Sequence, residues 1–315
     1  MPVRYECAGA GIYAIDAQYV RPHMDAVHLI VDAGRGAFVD TGTDHSAPAL
    51  MAALDALHLE AAAVDYILLT HVHLDHAGGA GRLAELLPLA KVVVHPRGLP
   101  HLCDPGKLIA ATKAVYGEAR YASLYGTVRP VPKERILAAE DGLHITLGRR
   151  TLEILYTPGH ALHHLCIADR DTHEIFSGDT FGVSYREFDT AAGPFIITTA
   201  TPTQFDPQQL HASLDRLLHL QPAAIYLTHY SRVGGIEKLG ADLHADIDAL
   251  VAIARGAAAA PRRAARIAER LFDHWSQRLD AHGFTGDAAR RRELLDMDVG
   301  LNAAGLDAWL SRIAA

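Results

Sequence analysis

Short apolar runs separated by turn-forming residues dominate the first three quarters of the chain. Residues 64–70 form a β-branched and aromatic run that predicts a buried strand, and residues 27–32 and 165–169 have the same character. Between such runs, apolar residues at helical spacing predict helices over residues 46–58 and from residue 207 onward. Strands that alternate with helices in this way indicate an α/β fold.

The last quarter of the chain shows helical spacing throughout. Apolar residues recur there at intervals of three and four in three stretches, which are separated first by Gly256 and Pro261 and then by Gly283. We therefore predict two parts: a domain over residues 1–235 and a C-terminal helical extension over residues 236–315.

The segment His71-Val72-His73-Leu74-Asp75-His76 carries three imidazoles and one carboxylate directly after a predicted strand. Gly78 and Gly79 follow and allow the backbone to turn tightly. Imidazole nitrogens and carboxylate oxygens are ligands for zinc, iron or manganese. In extended chain the first two histidines point the same way, while the aspartate and the last histidine reach a neighbouring point. One segment can therefore serve two metals.

Three more side chains of the same chemistry each follow a short apolar run, at His160, Asp179 and His229. Functional loops of α/β folds gather outside the carboxyl ends of strands, so we expect these side chains to approach the histidine segment. Because the chain has 20 histidines, a single one carries little information. The complete order H-x-H-x-D-H, H, D, H is much harder to obtain by coincidence.

This order resembles that of the metallo-β-lactamase-fold hydrolases. The flanking residues are similar to the family as well, at residues 38–42, 157–160 and 177–179, and the resemblance covers about residues 10–235. It is strongest to the glyoxalase II-like and uncharacterised hydrolase branches, because class B β-lactamases usually lack the histidine that corresponds to His76 and often carry a cysteine among their ligands. The resemblance implies an α/β fold that is a four-layer αβ/βα sandwich, with metals at one edge between the sheets; the C-terminal helices, predicted from their spacing, form an appendage to it.

The resemblance also implies a role for each ligand. The expected arrangement is two metal sites with one bridging residue: His71, His73 and His160 for the first metal, Asp75, His76 and His229 for the second, and Asp179 between them. Two divalent metal ions are expected, with zinc favoured and iron or manganese as alternatives. Such a pair lowers the pKa of a shared water to about 7, and the hydroxide attacks a carbonyl. Asp75 is the predicted catalytic residue, because its carboxylate can orient the hydroxide and carry its proton.

Other residues are expected around the metals. Asp40 follows a strand, and its carboxylate is expected to hold the histidine segment or a ligand imidazole by a hydrogen bond. Phe181, Tyr185 and Tyr230 stand close to predicted ligands and are expected to contact the substrate, with Tyr230 as a donor to an oxyanion. Residues 107–125 carry three tyrosines, for which core packing is as good an interpretation as a substrate wall.

The composition of the chain argues against some classes of binding partner. A net charge of −8 at pH 7 argues against a nucleic-acid-binding surface. The three cysteines are widely spaced, which favours neither a disulfide framework nor a zinc ribbon. No apolar run has the length of a signal peptide core or a membrane span. We therefore expect a cytoplasmic protein with a small-molecule substrate and no nucleic-acid or membrane partner, and we leave a homodimer open.

Two function classes remain. The first is a binuclear metal-dependent hydrolase of a small ester, thioester or lactone. The alternative is a mononuclear iron enzyme of the persulfide dioxygenase kind, which shares the fold and keeps a similar histidine segment with fewer ligands. The complete set of seven ligands favours the hydrolase. A non-catalytic binding protein ranks third, because degenerate members of the family usually lose ligands.

Overall fold

Strands and helices alternate along the chain in the computed structural model, which describes residues 5–200 and 203–314. The strands are β1 (Tyr5–Gly9), β2 (Ile12–Asp16), β3 (Ala26–Asp32), β4 (Arg35–Val39), β5 (Val64–Leu68), β6 (Lys91–Val94), β7 (Ile136–Ala138), β8 (His144–Leu147), β9 (Arg150–Tyr156), β10 (Leu165–Asp169), β11 (Glu174–Gly178), β12 (Ala224–Leu227) and β13 (Ser231–Val233). The helices are α1 (Ala47–Ala56), α2 (Leu74–Ala77), α3 (Ala80–Leu86), α4 (Leu99–Cys103), α5 (Gly106–Tyr116), α6 (Glu118–Tyr125), α7 (Pro207–His219), α8 (Ile236–Gly256), α9 (Arg263–His282) and α10 (Ala288–Ile313).

The chain forms two compact units, and each unit is built from three separate stretches of sequence. The first unit contains the residues up to Tyr156 together with His163–Gly178 and Ala223–Arg232. The second contains Thr157–Leu162, Asp179–Pro222 and the residues from Val233 onward. The C-terminal helices therefore group with two earlier segments, and their standing as a separate domain from residue 236 stays a prediction.

The β-sheets belong to the first unit. One sheet has seven strands in sequence order, β1 to β7, with antiparallel pairing up to β4 and parallel pairing from β4 to β7. The other has six strands in the order β13-β12-β11-β10-β9-β8, and β11 pairs with β12 in parallel. The parallel pairs β4–β5 and β11–β12 direct their carboxyl ends to the loops that carry candidate ligands, which is where α/β folds place functional groups.

The two sheets pack against each other through apolar side chains. Val39 and Leu68 of the first sheet share a buried cluster with Ile154 and Phe176 of the second. Another buried cluster joins the first sheet to helices, through residues such as Leu50 of α1 and Leu83 of α3. Burial of these faces away from water is the main stabilising contribution. The predicted α/β sandwich is confirmed.

Some elements were not predicted from the sequence. The turn between β3 and β4 lies at residues 33–34, because Arg35 already pairs with Asp32 in the ladder. Strand β1 was not predicted, since most of its side chains are exposed and it has no apolar alternation. Residues 97–126 contain the three helices α4, α5 and α6.

The second unit is helical. Helix α7 begins where the Asp206 carboxylate accepts hydrogen bonds from the backbone N–H groups of Gln208 and Gln209, a strong N-cap. Helices α8, α9 and α10 carry the helical periodicity seen after residue 235, and α9 packs along α10. Among the described residues, no helix combines the length and the apolar character needed to cross a membrane.

Candidate metal centre

The histidine segment lies at the carboxyl end of strand β5. His73 is the N-cap of the single-turn helix α2, so Asp75 and His76 lie on a helical turn while His71 lies on the extended chain before it. His71 and His76 are buried, whereas Asp75 is partly exposed. Glycine is required just beyond the segment, because a Cβ on Gly79 would lie 2.8 Å from the Thr43 carbonyl oxygen.

The two histidines on the extended part of the segment point their ring nitrogens at each other. The distance between Nε2 of His71 and Nδ1 of His73 is 2.8 Å. The ring of His76 lies over that of His71, with centroids 4.0 Å apart. Two ligands held tetrahedrally at about 2.1 Å by one metal are about 3.4 Å apart, so the two ring nitrogens must separate by about 0.6 Å to hold the same metal.

A second group forms around Asp75. Oδ2 of Asp75 lies 3.7 Å from Nε2 of His76 and 3.8 Å from Nε2 of His229, which follows strand β12. All three ligand atoms lie within 4.8 Å of one another. Ligands held tetrahedrally at 2.0–2.2 Å by one metal are about 3.3–3.6 Å apart, so the three side chains fit a divalent transition metal with small adjustments.

The carboxylate of Asp40 connects three strand ends of the first unit. Asp40 is buried and accepts hydrogen bonds from the N–H of Thr70 (2.8 Å) and the hydroxyl of Thr228 (3.0 Å). Nδ1 of His76 lies 2.8 Å from the same carboxylate. A carboxylate accepts only, so Nδ1 of His76 donates, and Nε2 keeps the lone pair that a metal requires. Asp40 makes the hydrogen bonds that its predicted orienting role requires.

Asp25 is a functional candidate that sequence reasoning missed. Its Oδ1 lies 2.7 Å from Nδ1 of His229, which gives His229 the same orientation that Asp40 gives His76. Asp25 is fully buried, and burial raises its pKa to about 6 although His229 acts to lower it. The only local signal is a polar residue just before β3, and nothing in the sequence pairs that position with residue 229.

Two more histidines of the first unit lie beside the segment. The ring of His164 stacks on His71 with centroids 4.9 Å apart, and His163 lies 5.9 Å from the ring of His73. Burial lowers the pKa of His163 to about 3, and the neighbouring His73 acts in the same direction. His163 is therefore a neutral neighbour of the candidate ligands, and neither histidine was singled out from the sequence.

Three tyrosines of the first unit also gather near Asp75. The hydroxyls of Tyr19 and Tyr125 are 2.8 Å apart, and the ring of Tyr116 packs against that of Tyr125. Burial raises the pKa of each hydroxyl, and the negative charge of Asp75 raises it further. The phenols thus stay protonated as hydrogen-bond donors. Tyr230, predicted to contact substrate, is buried against the ring of His23 and two alanines.

The second unit brings its two candidate ligands together. Nε2 of His160 lies 3.4 Å from Oδ2 of Asp179, and both side chains are buried. Phe181 is fully buried, and the Tyr185 hydroxyl donates to Asp298 at 3.2 Å. The role of Phe181 and Tyr185 in substrate binding stays a prediction.

Each unit therefore gathers its own share of the predicted ligands. The first holds five, which are His71, His73, Asp75, His76 and His229, and the second holds His160 and Asp179. The combination of all seven into one binuclear centre stays a prediction.

Comparison with known proteins identifies the family of the chain. A family model described as the metallo-beta-lactamase superfamily matches residues 21–229. The metallo-beta-lactamase fold-containing protein ST1585 of Sulfurisphaera tokodaii is 28% identical over 226 residues, which are 70% of this chain and 78% of that protein. A solved structure of ST1585 has a TM-score of 0.62 over 77% of this chain and 87% of that one, at 25% identity.

A structure that covers more of the chain is that of the metallo-beta-lactamase family protein TTHA1429 from Thermus thermophilus. Its TM-score is 0.65 over 97% of this chain and 94% of that one, and at 22% identity it supports the fold alone.

Two relatives with named activities match shorter stretches. Acyl-coenzyme A thioesterase MBLAC2 of Gallus gallus is 33% identical over 116 residues, which are 35% of this chain and 39% of that protein. Atrochrysone carboxyl ACP thioesterase of Aspergillus fumigatus is 28% identical over 155 residues, which are 49% of this chain and 36% of that protein.

Proposed function

Because the chain belongs to the metallo-β-lactamase superfamily, we propose that it is a binuclear metal-dependent hydrolase of a small thioester, ester or lactone. The observation that carries the proposal is the group formed by Asp75, His76 and His229, whose ligand atoms lie within 4.8 Å of one another. A carboxylate and two imidazoles at this spacing are a suitable donor set for zinc, iron or manganese.

The proposed ligands are those expected from the sequence. They are His71, His73 and His160 for one metal, Asp75, His76 and His229 for the other, and Asp179 shared by both. When bound, the metal pair supplies a hydroxide near neutral pH and polarises the substrate carbonyl.

The protein side chains orient the ligands and handle the proton. Asp40 and Asp25 hold the Nδ1 side of His76 and His229 and so direct Nε2 of each ring towards Asp75. Asp75 is partly exposed, with 22% of its side chain accessible, so its carboxylate can exchange a proton with a leaving group or water. Tyr19, Tyr116 and Tyr125 supply neutral phenols, because burial and the charge of Asp75 both raise the pKa of their hydroxyls.

A thioester is the substrate class that we favour within this proposal. Two relatives are named as thioesterases, one for acyl-coenzyme A and one for an acyl carrier protein. A thiolate leaving group needs little proton assistance, which suits a site in which the candidate ligand Asp75 is partly exposed and the candidate ligand Asp179 is buried.

The proposal is tested by metal analysis and a substrate panel. Zinc- or manganese-loaded protein should bind close to two equivalents of metal and hydrolyse at least one acyl-coenzyme A, aryl ester or lactone, in a reaction that chelation abolishes and that does not consume oxygen. Asp75→Asn should lose the activity while keeping the fold.

Two outcomes would contradict the proposal. One is a preparation with a single iron that consumes oxygen with glutathione persulfide and is inert towards the whole panel, which would favour the dioxygenase class. The other is a protein that retains no divalent metal after dialysis against low concentrations of chelator.

A further inference from the structure

The C-terminal helices contact a short buried segment that also touches a candidate ligand. This segment, residues 196–200, lies in the second unit together with α8, α9 and α10. Thr198, Thr199 and Ala200 are each at most 4% exposed. Buried backbone N–H groups outside regular structure need specific acceptors, and here side chains of the helices provide them.

Three hydrogen bonds fix the backbone on both sides of Thr199. The N–H of Thr198 donates to the Asp246 carboxylate of α8 at 2.8 Å, and the N–H of Ala200 donates to the side-chain oxygen of Asn302 in α10. Arg278 of α9 donates to the carbonyl oxygen of Ile196 at 2.9 Å. Each of the three C-terminal helices therefore supplies one of these contacts.

The hydroxyl of Thr199 connects this segment to the candidate ligands. It donates to the carbonyl oxygen of Asp179 at 3.1 Å and lies 2.9 Å from Nδ1 of His160. A hydroxyl has a single hydrogen, and the carbonyl can only accept it. Both contacts are satisfied together when Nδ1 of His160 carries the proton and donates to the hydroxyl. Nε2 of His160, which lies 3.4 Å from Asp179, then keeps its lone pair for a metal.

Burial of the charged Asp246 side chain among the helices is energetically unfavourable by itself. Asp246 is 1% exposed, and it accepts from the side chains of His274 (2.8 Å) and Trp275 (3.1 Å), while Arg278 lies 2.6 Å away. Burial acts to raise the pKa of Asp246, but the hydrogen bond from His274 and the charge of Arg278 outweigh it and hold the pKa below its usual value. Apolar residues of similar volume often hold buried elements together as well as an ion pair does. What an apolar residue at this position cannot provide is an acceptor for the N–H of Thr198.

We infer that Asp246 and Asn302 are positioning residues for metal binding, which act by holding Thr199 so that its hydroxyl sets the proton and orientation of the His160 imidazole. The C-terminal helices would then set the metal affinity of the centre without supplying a ligand. Residues that orient metal-bound histidines typically contribute 10–100-fold to metal affinity. The inference rests on the proposed function, because it takes His160 to be a metal ligand.

The experiment measures zinc affinity by competition with a chromophoric chelator, in the full-length protein. Thr199→Val, which removes the hydroxyl at similar volume, should weaken zinc binding by about 10–100-fold, and Thr199→Ser should restore it to within about 3-fold of wild type. Asp246→Asn should weaken binding by about 10-fold. The matched control is Asp307→Asn, which breaks a contact between α9 and α10, to Arg263, that does not touch residues 196–200.

A double variant separates positioning from a general loss of structure. If Asp246 acts through Thr199, the combination of Asp246→Asn with Thr199→Val should bind zinc as Thr199→Val alone does, within about 3-fold, because the hydroxyl is already absent. Multiplicative effects of the two substitutions would overturn the inference, as would zinc affinity unchanged in Thr199→Val. If Asp246→Asn does not fold, Asn302→Ala tests the same segment from its other side and must give the same dependence on Thr199.

A separate variant distinguishes this inference from the proposed function. His160→Ala should remove or strongly weaken one equivalent of zinc. If it binds zinc as wild type does, the ligand assignment in the proposed function is wrong. If it loses zinc while Thr199→Val and Asp246→Asn do not, the ligand assignment stands and the positioning role is wrong.

Discussion

Asp40→Asn tests most directly how the first unit orients its candidate metal ligands. Asp40 has a positive φ of 60°, a region that asparagine also adopts, so the backbone is not strained by the change. The carboxylate Oδ2 receives hydrogen bonds from His76 and from the hydroxyl of Thr228. An amide nitrogen at this position would face donors instead of accepting from them.

The size of the effect follows from these contacts. A hydrogen bond to a charged group contributes about 1.5–3 kcal/mol, and at least two are lost. The hydroxyl of Thr228 can rotate to another acceptor, which recovers part of the loss. We therefore expect the free energy of unfolding of the metal-free protein to fall by about 2–4 kcal/mol. His76 can relieve the clash by moving its proton to Nε2, and that removes the lone pair needed for a metal, so zinc affinity should fall about 10–100-fold.

The assay combines urea unfolding of the metal-free protein with zinc competition. Asp169→Asn is the matched control, because Asp169 is also buried in the first unit and accepts from Arg150 at 2.7 Å, at the end of β10 farther from the histidine segment. The control should lose stability without losing zinc affinity. If Asp40→Asn loses stability but keeps the zinc affinity of wild type, Asp40 has only a structural role and the reasoning is refuted.

The remaining predictions concern turnover, metal retention and pH. Asp75→Asn should reduce turnover of an accepted substrate at least 100-fold, because it removes the proposed proton carrier. The midpoint of thermal unfolding of the metal-free protein should stay within a few degrees, because Asp75 is partly exposed. Near wild-type turnover would exclude its catalytic role. Asp179→Asn should lower the zinc retained after dialysis, since a bridging ligand serves both ions, and full retention would contradict the bridge. Burial lowers the pKa of His28 to about 4, so the unfolded chain binds a proton that the folded chain does not. The free energy of unfolding should therefore fall by about 3 kcal/mol as pH drops from about 6.5 to about 4. In urea unfolding at several pH values, His28→Phe should remove this part of the fall. An unchanged pH dependence in the variant would contradict the prediction.

The parts of the site that could be predicted from the sequence are those with a local pattern. The segment from His71 to His76 follows an apolar run and carries its ligands at fixed spacing, so its place at the end of β5 followed from the residues alone. The residues that orient the ligands have no such pattern. Asp25 and Thr199 are a polar residue before a strand and a threonine in an irregular segment, and their partners His229 and His160 lie far away in the sequence.

The same distinction explains the differences in the fold. Strands such as β5 and β10 were predicted because most of their residues are apolar. Strand β1 was missed because an exposed edge strand is defined by pairing with β2 and not by its own pattern. Tyr116 and Tyr125 were left between core packing and a substrate wall, and only the tertiary arrangement brings them together with Tyr19, which is distant in the sequence.

Three candidate ligands share one arrangement, although their partners come from different elements. Nδ1 of His76 contacts Asp40, Nδ1 of His229 contacts Asp25, and Nδ1 of His160 contacts Thr199. In each case the oxygen leaves Nε2 as the nitrogen available to a metal, so the proton positions that a metal would need are already set in the folded protein. An unfolded chain has the same histidines without these partners. Their rings would occur in both tautomers and in many orientations, which would weaken zinc binding. Zinc should therefore stabilise the folded protein by an amount that depends on the orienting oxygens as well as on the number of ligands, since stabilisation follows the difference in affinity between the folded and unfolded chain. In thermal unfolding with and without zinc, variants at Asp40, Asp25 or Thr199 should lose part of the zinc-induced shift in midpoint while all seven candidate ligands remain in place.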